Sequence, residues 1–144
     1  MNIEAVLKTL PIAEQEALLA DVEEYKNALR REKSQASFME YVKVMWPGFV
    51  HGRHHALMAK KFEEIASGKI KRLIINMAPR HTKSEFASYL LPSWFLGKNP
   101  HKKVIQCSNT ADLAVGFGRK VRNLVDSEQY AKAVSYTHLT LPTI

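Results

Sequence analysis

Apolar positions follow two rhythms along this chain. Between residues 3 and 31 they recur at helical spacing: Val6, Leu7 and Leu10, then Leu18, Leu19, Val22, Tyr25 and Leu29, with Pro11 interrupting early. The pattern predicts a short turn and then one long amphipathic helix. That helix is acidic near its start (Glu14, Glu16) and basic near its end (Lys26, Arg30, Arg31), the order that suits its dipole. Ser37 is a candidate cap for a second helix that runs through Trp46, where Pro47-Gly48 stops it. A third is predicted from about Arg53 to Ala66, with Leu57, Met58, Phe62 and Ile65 inward, and Ser67-Gly68 closing it.

The rhythm then changes. Arg72-Leu73-Ile74-Ile75-Asn76-Met77 is a short apolar run with β-branched residues and predicts a strand, followed by a loop containing Pro79. A helix is expected from near Lys83, with Phe86, Ala87, Leu90, Leu91 and Trp94 on one side. Pro92, which has no backbone donor, should kink or end it. After a loop at Gly97-Lys98-Asn99-Pro100 comes a second predicted strand, Lys103–Cys107. Asn109 or Thr110 then caps a helix with Asp112 in its first turn and Leu113, Phe117, Val121 and Leu124 inward. Strand, helix, strand, helix predicts an α/β fold, a parallel sheet flanked by helices, preceded by an α-helical N-terminal segment. The expected organisation is a helical arm over 1–36, the α/β unit over 37–133, and a tail over 134–144.

The tail differs from what precedes it. Val-Ser-Tyr-Thr-His-Leu-Thr-Leu-Pro-Thr from Val134 carries no charge and does not continue the preceding helix. It resembles the in-frame translation of a sequencing adapter and is read as non-native, which implies a natural chain that continues past Ala133.

Composition narrows the class. An apolar content of 46% in 144 residues suits one domain with a real core. No apolar run is long enough to span a bilayer, and Cys107 is the single cysteine, so a reduced intracellular setting is expected and a buried small side chain is the default role for Cys107. The net charge of +7 is uneven: residues 1–24 carry six acids against one base, residues 25–133 twenty bases against eight acids. The basic part could attract a polyanion, and Arg119, Lys120 and Arg122 could face DNA phosphates, although a solvated helix face is the commoner reason for such a run.

The chemistry concentrates at Ala78-Pro79-Arg80-His81-Thr82-Lys83-Ser84-Glu85, between a predicted strand and a predicted helix. A phosphate-binding loop needs backbone N–H groups curled around the anion at a helix N-terminus, a lysine for the β/γ-phosphates and a hydroxyl for magnesium. Lys83 and Ser84 fill the last two roles. The two glycine positions of the usual G-x-x-x-x-G-K-[ST] pattern are Met77 and Thr82, so a bare pattern search would miss the loop. A β-branched residue resists positive φ, so Thr82 requires a tolerant path or a strain of about 1–3 kcal/mol. His51, His54 and His55 lack a carboxylate or cysteine at metal-ligand spacing; with Trp46 and Pro47 they could instead contact a base, while core packing suits Trp46 better.

Arg72 to Glu85 resembles the deviant Walker A region of phage terminase large subunits, where the loop commonly reads proline-arginine-histidine-glycine-lysine-serine-glutamate. The likeness extends to His54-His55-Ala-Leu, to Ser67–Arg72 and to Ser108–Arg122, about residues 38–128. It implies an ATPase with ATP and Mg2+ as cofactors. Pro79, Arg80, His81, Thr82, Lys83 and Ser84 would line the nucleotide, Lys83 would hold the β/γ-phosphates, Ser84 the magnesium, and Arg80 would stabilise the γ-phosphate during hydrolysis.

The family's water-activating acids and metal-dependent nuclease domain would lie farther along, and no apolar run here ends in Asp-Glu, so the fragment alone is expected to be inactive. The implied partners are double-stranded viral DNA, a portal protein, a small terminase subunit and further copies in a ring, with no membrane. The implied place is the host cytoplasm at the procapsid portal. A helicase-like nucleic-acid translocase and a non-catalytic basic α/β binding module remain the alternatives.

Overall fold

Phe38, Tyr41, Val42 and Met45 are spaced so that one face of a short helix is wholly apolar, and that helix is the centre of the molecule. The computed structural model describes residues 11–134. Its elements are α1 (Ile12–Ala36), α2 (Phe38–Met45), α3 (Arg53–Ala66), a π-helical stretch (Glu85–Leu90) that runs directly into α4 (Leu91–Lys98), α5 (Ala111–Val125) and α6 (Glu128–Ala133). The predicted turn at Val6–Leu10 lies outside the described residues, as does the tail beyond Val134.

α2 packs against α1, α3, α4 and α6, while α5 closes on the π-helical stretch and α4. Phe38 meets Phe62, Phe86 and Trp94 edge-on, with ring centroids 5.3, 5.7 and 5.4 Å apart. Such pairs contribute about 0.5–1.5 kcal/mol each beyond burial. Several polar atoms that this core takes in are paired: Tyr41 Oη and Ser93 Oγ lie 2.7 Å apart, Tyr130 Oη donates to the Ser93 carbonyl at 2.8 Å, and Trp94 Nε1 donates to the Ser34 carbonyl at 2.8 Å.

The predicted parallel sheet is absent: among the described residues there is no strand, and the α/β assignment is corrected to an all-helical arrangement. The two runs expected to be strands are irregular. Leu73, Ile75 and Met77 pack half-buried against the core, while Ile74 is 86% exposed and Ile105 88% exposed. A period of two says only that successive side chains alternate sides; a strand also needs a neighbouring backbone to form a ladder with, and neither run has one. Lys103–Cys107 is held instead through Gln106, whose Nε2 donates to the Ser88 carbonyl at 2.6 Å. That carbonyl sits four residues before Pro92, which has no N–H to return to it. Pro92 therefore neither ends nor breaks the helix: it stands in the first turn of α4, where the wider π-helical turns give way to α-helix.

The helical predictions fare unevenly. α3 has the predicted bounds, and Gly68 after it adopts φ 76°, the left-handed conformation that stops a helix. Met58 and Phe62 are buried as predicted, but Leu57 is exposed. Thr110 caps α5, its Oγ1 accepting from Leu113 N at 3.3 Å; Val121 and Leu124 are buried and Leu113 is not. In α1 the apolar stripe picked out by the spacing is exposed: Leu18, Leu19, Val22, Tyr25 and Leu29 all face out, and Ser34 is the helix's one buried residue. Val134, the first residue of the expected tail, is buried beside Gly97, where an added Cβ would lie 2.5 Å from Val134 Cγ1 and 2.7 Å from Tyr130 Oη.

Candidate phosphate-binding loop

The chain turns at Pro79-Arg80 and enters a helix at Lys83, so the predicted loop-to-helix junction is where the sequence placed it. Two non-glycine residues in it take the left-handed conformation, Arg80 at φ 64° and Thr82 at φ 59°. Both are unfavourable for residues with a Cβ, and such corners concentrate at binding sites. The Lys83 side chain does not enter the core. Its Nζ folds back over the loop and donates to the Met77 carbonyl at 3.1 Å, placing an ammonium across the turn. His81 Nδ1 donates to the Pro79 carbonyl at 3.0 Å, which tightens the turn, and Phe86 N donates to the Thr82 carbonyl at 3.0 Å as the helix begins.

Pro79, Arg80, His81 and Ser84 are exposed, while Thr82 and Lys83 are half-buried. The loop thus gathers two basic side chains, an accessible hydroxyl and the free N–H groups of a helix start, a donor set suited to a phosphate group. Ser84 can offer magnesium a single neutral oxygen. Among the described residues no group of three or more His, Cys, Asp and Glu is placed to hold a metal ion.

The residues around the loop include ones that spacing did not assign. His55 Nε2 lies 2.7 Å from Thr82 Oγ1, and His55 Nδ1 accepts from Gly52 N at 2.9 Å. The signal was present: Gly52 and His55 stand three apart at the start of α3, the spacing at which a side chain reaches back to the capping residue. His54 lies tilted against His55 with centroids 3.8 Å apart, and its ring lies 5.9 Å from that of His81. Burial first, then the nearby His54, His51 and His81, hold the His55 pKa below its usual 6.5.

Trp46 packs on Phe49 at 5.4 Å and borders the core. Lys120 pairs with Glu85 at 3.5 Å, both exposed, an interaction of about 0–1 kcal/mol; Arg119 and Arg122 face solvent. Cys107 is exposed, contrary to the buried role expected for it. No helix of the described residues is long and apolar enough to cross a membrane. No family model, curated protein or solved structure matches this chain.

Proposed function

We propose that the loop Pro79–Ser84 binds the phosphates of ATP with magnesium, and that the chain is part of a DNA-packaging ATPase of the terminase large-subunit kind. The supporting observation is the Lys83 ammonium bent back over a turn with left-handed corners at Arg80 and Thr82, at the start of a helix. The reading rests on this loop and on the likeness of Arg72–Glu85 and its flanks.

In this reading the bound nucleotide replaces the Met77 carbonyl as the partner of Lys83 Nζ. Lysine would then meet the β/γ-phosphates as a point charge, and the exposed Ser84 hydroxyl would be the residue that holds magnesium. Arg80, exposed at the turn, would neutralise charge on the γ-phosphate. The partners that follow are double-stranded viral DNA, a portal protein, a small terminase subunit and further copies in a ring at the procapsid portal.

Binding and turnover separate. Hydrolysis needs an acid to position water, and no apolar run in the sequence ends in Asp-Glu, so the 144-residue chain is expected to bind ATP with negligible turnover. Titration of fluorescent ATP with magnesium tests the loop: Lys83→Ala should weaken binding by about tenfold or more, as loss of a charge-assisted contact does. Equal, weak binding by both proteins would replace this reading with a non-catalytic basic binding module.

A further inference from the structure

Thr82 presents a physical problem that the loop must solve. It is β-branched, it stands where the phosphate-loop pattern has glycine, and its φ is 59°. Left to itself, such a residue returns to negative φ, swinging its own carbonyl and the Lys83 N–H away from the positions that close the turn.

The hydrogen bonds around it run in one direction. The Gly52 N–H donates to His55 Nδ1 at 2.9 Å, so Nδ1 carries no proton and the neutral ring holds its proton on Nε2. Nε2–H then donates to Thr82 Oγ1 at 2.7 Å, and the Thr82 hydroxyl donates to the His81 carbonyl at 2.7 Å. Every proton in the relay has one acceptor. We propose that His55 is a positioning residue that latches the Thr82 corner in its left-handed conformation, allowing a β-branched residue to serve where a glycine would otherwise be needed. As a role in nucleotide binding, this rests on the reading of the loop given above.

Two further features fit the latch. The His55 ring is fixed on its other sides by Phe49 and Phe86, with centroids at 4.7 and 5.0 Å, and by His54 at 3.8 Å, so it can hold Thr82 rather than follow it. Gly52 also suits the arrangement: a Cβ there would come 2.9 Å from His54 Cε1 and 3.3 Å from His55 Nδ1, crowding the rings beside the backbone N–H that sets the tautomer. The latch thereby ties the start of α3 to the loop. The titratable groups facing His55 are His51 and His54 from α3 and its approach, and His81 from the loop.

The test is a cycle of His55→Ala and Thr82→Gly in the full chain, with two readouts: hydrogen exchange of the Phe86 amide, which donates to the Thr82 carbonyl, and the Kd for magnesium-bound fluorescent ATP. With Thr82 present, His55→Ala should speed exchange and raise Kd by about tenfold each, within the range expected of an unsupported left-handed corner. In the Thr82→Gly background, the same substitution should change either by less than about twofold, because glycine needs no latch. His55→Gln keeps an N–H donor at the ε position and should restore most of the loss, which a purely structural role for the ring would not allow. An equal effect of His55→Ala in both backgrounds, or no effect in either, overturns the latch. If Lys83→Ala leaves ATP binding unchanged, the nucleotide reading falls, while amide exchange still decides the latch.

Discussion

His55 shows how much one side chain can carry when its ring is buried and its neighbours are of like kind. Its pKa lies below 6.5 because burial, and then His54, His51 and His81, disfavour the charged ring. A depressed histidine pKa means that, below 6.5, the unfolded chain takes up a proton that the folded chain resists. Stability from this group is therefore full above 6.5 and declines as pH falls through that value. Urea midpoints at about pH 7.5 and about pH 5.5 should show the decline in the native chain and a shallower one in His55→Gln. An unchanged slope in the variant would assign the acid sensitivity elsewhere.

Between elements, the capping of α2 shows a side chain from one helix completing another. Ser37 begins α2, as its residue type suggests, but its hydroxyl makes no cap bond to its own helix. It donates to Glu63 Oε1 at 3.2 Å, and that oxygen also accepts the Phe38 N–H at 2.8 Å, so a carboxylate of α3 takes up a donor left open at the start of α2. Glu63→Ala should cost about 1 kcal/mol in chemical denaturation, as loss of a cap does. Leu19→Ala, on the exposed stripe of α1, should cost less than about 0.5 kcal/mol. A larger loss at Leu19 than at Glu63 would mean that the outward stripe is covered in solution. The same scale explains Pro92: the carbonyl it cannot bond is bonded by Gln106 from the next segment, and the helix continues.

At the scale of the whole molecule, the aromatic cluster at Phe38 joins α2, α3, the π-helical stretch and α4, so its loss should be felt everywhere at once. Phe38→Ala is expected to destabilise by about 3–5 kcal/mol and to lower all spectroscopic transitions together. Retention of the wild-type urea midpoint would show that the cluster is not the common core. Local signals decided a good deal before any packing was known. Pro47-Gly48 and Ser67-Gly68 ended helices, Thr110 started one, and the change of character after Met77 marked a loop opening on a helix at Lys83, because caps, breakers and turn residues act within a few bonds. Tertiary structure alone decided which face each amphipathic pattern would bury, as the outward stripe of α1 shows, and whether a period-two run would find a backbone to pair with, as Leu73–Met77 did not. It also brought His55 to Thr82, across 27 positions of sequence. Ladders, buried faces and long-range hydrogen bonds need a partner supplied from elsewhere in the chain, and a local pattern can call for that partner without containing it.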